Sequence, residues 1–87
     1  MTQNLPFEVL RQLRAQGRTL ATAESCTGGL IGKLLTDIPG SSEVYMGGVI
    51  SYTNGVKHRL LGVSEDTLRV YTAVSRQTAH EMARGAR

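Results

Sequence analysis

The sequence is poor in the residues that identify several protein classes. Its 87 residues include no tryptophan, one phenylalanine, three tyrosines and a single cysteine. One cysteine excludes an intramolecular disulfide framework, which fits a reducing compartment. With so few aromatic side chains to stack on bases, a nucleic-acid partner is not expected, although the net charge is +3. Aliphatic side chains must therefore supply the core.

Long apolar runs are also missing. The N-terminus, MTQNLPFEVL, has no basic region leading into an apolar stretch. We therefore expect no signal peptide, no membrane contact and a cytoplasmic location. No set of His, Cys, Asp and Glu has the spacing of metal ligands, so neither a metal nor another cofactor is expected. A chain of 87 residues forms one small domain at most, and it buries only roughly 60–65% of its unfolded surface.

A turn rich in hydroxyl groups and glycine, AESCTGG at residues 23–29, is the first motif. It follows a β-like run and opens a helical pattern with apolar residues at i, i+3, i+4 and i+7. Free N–H groups at such a helix start favour an anion. Alternatively, Ser25 or Thr27 only caps the helix. The motif is neither GxGxxG nor a P-loop, so it predicts neither a dinucleotide fold nor an NTPase.

Two residues within this turn have competing interpretations. The Glu24 carboxylate either holds a ribose hydroxyl or orients Lys57, or it satisfies the N–H groups of the turn itself. Cys26 has no local Cys/His pattern around it. We therefore expect it to be a small buried residue behind the helix start rather than a thiol nucleophile.

The second motif runs from Pro39 to Lys57, PGSSEVYMGGVISYTNGVK. A paired serine follows a Pro-Gly turn, and a lone lysine follows a predicted strand. A serine hydroxyl is a weak nucleophile until a base takes its proton, and a lysine that burial makes neutral is such a base. The strand between Ser42 and Lys57 and the turn after it are expected to fold back and bring the two together.

The remaining pattern predicts a mixed α/β chain. A first helix runs from Asn4 to Gly17, with Phe7, Leu10 and Leu13 inward. Strands are predicted at 18–23 and 44–53, with a second helix at 27–38 between them. Shorter helices follow Asn54, Ser64 and Ser75. The pair Gly47-Gly48 indicates a bulge or a close backbone approach within the second strand. Two strands alone are marginal in water, so we expect association with further chain or with another copy.

Several blocks of sequence resemble the CinA family, in its C-terminal amidohydrolase domain, which also occurs as a stand-alone nicotinamide-nucleotide amidase. The blocks are TAESCTGG at 22–29, TDIPGSS at 36–42, residues 48–57, LLGV at 60–63 and AVS at 73–75. Their order and spacing fit along nearly the whole chain. The family domain is nearly twice as long, so residues 1–87 resemble its N-terminal half.

The resemblance implies a three-layer α/β/α domain and an enzyme that hydrolyses the carboxamide of nicotinamide mononucleotide. The products are nicotinic acid mononucleotide and ammonia, in pyridine nucleotide recycling. It places the nucleophile on Ser42, the base on Lys57 and a supporting tyrosine on Tyr52. For this mechanism we expect backbone N–H groups near 40–42 to hold the oxyanion. Substrate contacts are assigned to Glu24, Ser25, Thr27, Gly28, Gly29 and Asn54.

Two other classes remain open. One is a nucleotide-binding or regulatory module without catalysis, and the other is a structural oligomerisation module. Because a two-stranded sheet is marginal alone, we expect residues 1–87 to form a homo-oligomer. Because a half-length domain lacks the substrate contacts of its second half, we also expect residues 1–87 alone to show little amidase activity. Ammonia release separates catalysis from the other classes, and calorimetry separates nucleotide binding from a purely structural role.

Overall fold

The computed structural model describes residues 5–87. These residues form five helices and two strands, with a short 3₁₀ turn before the second strand. In chain order they are α1 (Leu5–Ala15), β1 (Leu20–Glu24), α2 (Leu30–Thr36), the 3₁₀ turn (Ser41–Glu43), β2 (Tyr45–Ile50), α3 (Asn54–Leu61), α4 (Glu65–Tyr71) and α5 (Arg76–Ala86). The sequence predicted the helices and strands in this order, with the first strand one residue too long and the second four residues too long. The predicted start of α1 at Asn4 lies outside the described residues.

The strands β1 and β2 pair in parallel, with α2 as the connection between them. A parallel pair needs such a crossover, because the chain must return to the same end before it starts the second strand. The register shifts between Leu20 and Ala21, whose partners are Tyr45 and Gly47. Met46 is therefore the extra residue of a bulge, which confirms the irregularity expected in this strand.

A close backbone approach accompanies the bulge. A Cβ placed on Gly48 would lie 2.3 Å from the Thr22 hydroxyl oxygen and 3.0 Å from the Thr22 carbonyl oxygen. Real Cβ atoms do not come so near to other atoms, so this position requires glycine. The close backbone approach expected at Gly47-Gly48 is therefore confirmed, in addition to the bulge.

Helices cover both faces of the sheet, because alternate residues of β1 point to opposite sides. Leu20 faces a cluster around Leu10, Leu35 and Val44, to which α1 and α2 contribute. Ala23 faces a second cluster of Leu61, Val63 and Met82 from the α3–α5 side. The chain thus has the three-layer α/β/α arrangement. Phe7 was expected to point inward, but it is 55% exposed, since Leu10 and Leu13 alone fill the contact of α1 with the core.

Polar caps define the helices after β2. The side chains of Ser64 and Ser75 accept hydrogen bonds from the backbone N–H three residues later, as the sequence predicted. Gly62 ends α3 in the left-handed conformation. The cap of α3 is Thr53 rather than the expected Asn54, because the Thr53 hydroxyl accepts from the Val56 N–H.

Apolar side chains remain exposed on the outer surfaces of the two-stranded sheet and its helices. Met46 is 60% exposed, and Leu30, Ile31, Leu34 and Ile50 are each about half exposed. Self-association stays a prediction, which sedimentation can test. Between Leu5 and Arg87, no helix combines the length and the apolar character that crossing a membrane requires.

Replacing Gly85 by alanine is expected to destabilise the fold, because α5 touches the end of α3 at this residue. A Cβ on Gly85 would lie 1.8 Å from the Leu61 carbonyl oxygen. Since backbone cannot yield as a flexible side chain does, Gly85→Ala should cost about 1–3 kcal/mol. The measurement is the midpoint of urea unfolding.

The matched control is Gly55→Ala in α3, where a new Cβ meets nothing within 4 Å. This change should be neutral or stabilising by up to about 1 kcal/mol, since alanine favours helix over glycine. Equal midpoints for the two variants would show that the contact between α5 and Leu61 is looser than the structure has it.

Candidate active site

The carboxyl ends of parallel strands meet at the same edge of a sheet, and the candidate site forms at this edge. Ser25 directly follows β1, and Ser51 directly follows β2. The Ser51 N–H donates to the Glu24 carbonyl oxygen at 2.7 Å, and the Ser51 hydroxyl donates to the same oxygen at 3.2 Å. These two bonds fix the ends of the strands relative to each other.

Lys57 projects from α3 into this edge and is only 1% exposed. Its Nζ lies 3.0 Å from the Ser25 Oγ and 2.8 Å from the Ser51 carbonyl oxygen. The Tyr52 carbonyl oxygen is a weaker third contact at 3.5 Å. The structure therefore forms a serine–lysine pair, Ser25 and Lys57, between residues 32 positions apart.

The surroundings of Lys57 contain oxygen acceptors but no counter-ion. Within residues 5–87, no carboxylate forms an ion pair with its Nζ. The Lys57 Nζ donates to the Ser51 carbonyl oxygen and to the Ser25 hydroxyl oxygen. This contact places an amine and a hydroxyl at the distance that proton transfer between them requires.

The expected pairing of Ser42 with Lys57 is not formed. Ser42 lies exposed in the 3₁₀ turn before β2, whereas the Nζ of Lys57 reaches the carboxyl end of β2. The six residues of β2 separate the two positions, and a strand of this length spans roughly 20 Å. The two side chains lie apart because β2 continues away from Ser42 instead of folding back on it.

Glu24 was assigned to substrate, and the structure gives it another task. Its carboxylate is 5% exposed and accepts from the N–H groups of Ile31 and Gly32, at 2.7 and 3.0 Å. The hydroxyls of Thr27 and Thr22 donate to it at 3.1 and 3.3 Å. The second of the two interpretations of Glu24, that it satisfies the turn, is therefore the one that the structure confirms.

This carboxylate occupies the helix start that the sequence offered to an anion. Burial alone would raise the pKa of Glu24, but the two backbone N–H groups and the two hydroxyls outweigh it and hold the pKa below its ordinary value. The side chain of Ser25 or Thr27 was the alternative cap for α2. The structure instead has Gly29 at the N-cap position before α2, with a φ of 101° and no side-chain hydrogen bond to cap the helix.

The other predicted contact residues are only partly gathered at the serine–lysine pair. Thr27 and Gly28 are exposed on the same turn as Ser25. Asn54 is exposed at the start of α3 and borders a separate groove with His58 and Glu65. The Tyr52 side chain is 80% exposed, so only its carbonyl oxygen meets Lys57.

An open cavity of about 350 Å³ adjoins Ser25 on the side of α5. Its lining is mainly apolar and includes Ala23, Val74 and Met82. Cys26 also borders this cavity and is exposed, so the expectation of a buried cysteine behind the helix start is wrong. In the described part of the chain, no three His, Cys, Asp or Glu side chains lie close enough together to hold a metal ion.

The fold and the site define a three-layer α/β domain with a buried lysine against a serine at the edge of a parallel sheet. Residues 2–87 match the family model described as the CinA C-terminal domain, and the chain belongs to the CinA family. It is 58% identical over 81 residues to a CinA-like protein of Leptospira interrogans, covering 92% of this chain and 19% of that protein. A putative competence-damage inducible protein of Halothermothrix orenii is 55% identical over 84 residues, covering 97% of this chain and 20% of that protein.

Solved structures give the same result. The competence/damage inducible protein CihA of Agrobacterium tumefaciens is 48% identical, with a TM-score of 0.93 over 97% of this chain and 51% of that one. A CinA superfamily protein of Escherichia coli is 37% identical, with a TM-score of 0.95 over 99% of this chain and 50% of that one. The chain therefore spans about a fifth of the length of these curated relatives and about half of these solved chains.

Proposed function

We propose that this chain carries the catalytic pair of a hydrolase that deamidates nicotinamide mononucleotide to nicotinic acid mononucleotide and ammonia. The observation that carries the proposal is the 3.0 Å contact between the Nζ of buried Lys57 and the Oγ of Ser25. Membership of the CinA family supports a CinA-type function. The nucleophile of this proposal is Ser25, because among the described residues Lys57 contacts the Ser25 hydroxyl and not that of Ser42.

The reaction begins with proton transfer from Ser25 to Lys57. Neutral Lys57 accepts the hydroxyl proton while the Ser25 oxygen attacks the carboxamide carbon, and a C–O bond forms. The carbonyl π electrons move onto the oxygen of the tetrahedral intermediate. The backbone N–H groups of Cys26 and Thr27 have no acceptor among the described residues, so in this proposal they are the donors that stabilise that oxyanion.

Collapse of the intermediate breaks the C–N bond. The protonated Lys57 gives its proton to the departing nitrogen, which leaves as ammonia, and an acyl-enzyme remains on Ser25. Water then attacks the acyl carbon with Lys57 again as the base, and the carboxylic acid is released. The exposed Tyr52 phenol assists the proton transfers in this proposal, once bound substrate brings it over the site.

Substrate binding is assigned to the exposed part of the turn and to α3. Thr27, Gly28, Gly29 and Asn54 remain the proposed contacts to a pyridine nucleotide, whereas Glu24 is withdrawn because its carboxylate is already occupied. The proposal includes no cofactor, a homo-oligomeric assembly and a cytoplasmic location. The curated relatives are about five times as long as the matched segment, so residues outside it are proposed to complete the substrate site.

The test is ammonia release from nicotinamide mononucleotide by the full-length product of the gene that encodes this chain. We expect stoichiometric ammonia and nicotinic acid mononucleotide, and no turnover of nicotinic acid mononucleotide itself, which has no amide to lose. Calorimetry with the same nucleotide runs alongside. Binding without ammonia would favour a nucleotide-binding module, and neither binding nor ammonia would favour a structural one.

A further inference from the structure

A polar cluster lies directly beneath the turn that carries Ser25, and the chemistry proposed above does not use it. The Glu24 carboxylate and the Tyr45 phenol both contact the Thr22 hydroxyl, at 3.3 and 2.7 Å. Two glycines make room for this cluster. A Cβ on Gly32 would lie 3.2 Å from a Glu24 carboxylate oxygen, and one on Gly48 would lie 2.8 Å from the Tyr45 oxygen.

Glu24 is the member of this cluster that reaches both halves of the serine–lysine pair. It precedes Ser25 in the chain, and its carboxylate anchors the far end of the turn at Ile31 and Gly32. Its carbonyl oxygen accepts from Ser51, whose own carbonyl accepts from Lys57. Two short chains of hydrogen bonds thus lead from Glu24 to the turn of Ser25 and to the amine of Lys57.

The environment of this carboxylate is unusual for a residue with only a capping role. A buried ionised carboxylate is costly unless it is fully hydrogen-bonded. Here four donors from three different segments satisfy it, and no lysine or arginine of the described residues forms an ion pair with it. Those donors fix the path of the chain on both sides of Ser25.

We propose that Glu24 is the positioning residue of the site: its carboxylate holds the turn 25–29 so that the Ser25 hydroxyl stays against Lys57. This inference rests on the proposed function for its catalytic consequence. Glu24 touches neither substrate nor the reacting atoms, so it acts only through Ser25 and Lys57. A misplacement of about 1 Å between reacting groups can reduce a rate about 100-fold, so a loss of this anchor should appear in kcat.

The test compares Glu24→Gln with Glu81→Gln in the full-length gene product. Glutamine has one acceptor oxygen and one NH₂ donor, so it must turn its NH₂ toward the N–H of either Ile31 or Gly32. Glu81 is a matched control, because its carboxylate also accepts a helix-start N–H, from Ser64 at 2.8 Å, and a threonine hydroxyl, from Thr67. It lies on α5, away from Ser25.

Two quantities are measured for each variant: kcat and KM per folded molecule, and amide hydrogen exchange at Ile31 and Gly32, whose N–H groups donate to the Glu24 carboxylate. Glu24→Gln should lower kcat about 10- to 100-fold with little change in KM, and it should speed exchange at these two amides. Glu81→Gln should leave kcat and the exchange of these two amides unchanged and speed exchange only near Ser64. Wild-type kcat and wild-type exchange at Ile31 and Gly32 in Glu24→Gln would overturn the proposal.

A second variant keeps the test decisive if Glu24→Gln does not fold. Gly32→Ala leaves the carboxylate in place but crowds its oxygen, so it should change kcat and exchange in the same direction by a smaller factor. No change in either quantity would count against the proposal. If the wild type releases no ammonia, the proposed function fails, while hydrogen exchange still decides whether Glu24 holds the turn.

Discussion

Ser25→Ala should reduce deamidation of nicotinamide mononucleotide by about three orders of magnitude or more, because no other hydroxyl of residues 5–87 contacts Lys57 to replace the lost nucleophile. Nucleotide binding should persist, since the substitution removes one oxygen from a half-buried side chain and leaves the turn intact. The measurements are ammonia release and calorimetry on the same preparation of the full-length gene product.

Ser42→Ala is the matched control. Ser42 is exposed and its hydroxyl makes no hydrogen bond to another described residue, so its loss should change stability by less than about 0.5 kcal/mol and leave turnover near the wild-type value. The reverse outcome, with activity lost in Ser42→Ala and kept in Ser25→Ala, would return the nucleophile to the residue that the sequence resemblance indicated.

The contrast between these two serines shows what sequence reasoning can locate. Both lie in turn-forming sequence, since Ser25 precedes Cys-Thr-Gly-Gly and Ser42 follows Pro-Gly-Ser. The deciding fact is the direction of the strands. Once β1 and β2 are parallel, residues after their carboxyl ends meet, which places Ser25 beside Ser51 and Lys57. Ser42 precedes β2 and therefore lies at the opposite edge of the sheet.

The direction of the strands was itself accessible from the sequence. A helical pattern at residues 27–38 separates the two predicted strands, and a strand–helix–strand order is typical of parallel pairing. Applying that rule to the motif AESCTGG would have selected Ser25. Ser51 offered no comparable signal, because its role depends on a backbone carbonyl and a tie to Glu24 that no residue pattern encodes.

Local features were predictable where one residue type is strongly preferred. The caps Ser64 and Ser75 and the terminating Gly62 follow from hydrogen-bonding capacity and from the conformational freedom of glycine. Burial was harder to predict. Cys26 is apolar enough for the core, yet it lies exposed, because Glu24 rather than Cys26 fills the space beneath the turn.

Lys57→Arg should damage the reaction nearly as much as Lys57→Met, by about 10²- to 10⁴-fold in kcat. A guanidinium keeps the positive charge but does not give up its proton near neutral pH, so it cannot accept the proton of Ser25. Methionine keeps an unbranched side chain but has no amine. Both variants test whether Lys57 acts by accepting a proton or only by its charge.

Stability must be measured beside activity, because Lys57 is almost fully buried. Methionine leaves the Ser51 carbonyl without its donor, which costs about 1–3 kcal/mol, and arginine must fit a larger head into the same space. The rates are therefore compared per folded molecule, with Lys33→Arg as the control, since Lys33 is exposed and pairs with Asp37 on α2. That variant should keep wild-type turnover. Loss of a general base costs at least about 10²-fold in kcat. If Lys57→Arg retained more than about a tenth of the wild-type kcat, proton transfer through Lys57 would therefore be excluded, and a purely electrostatic role would remain.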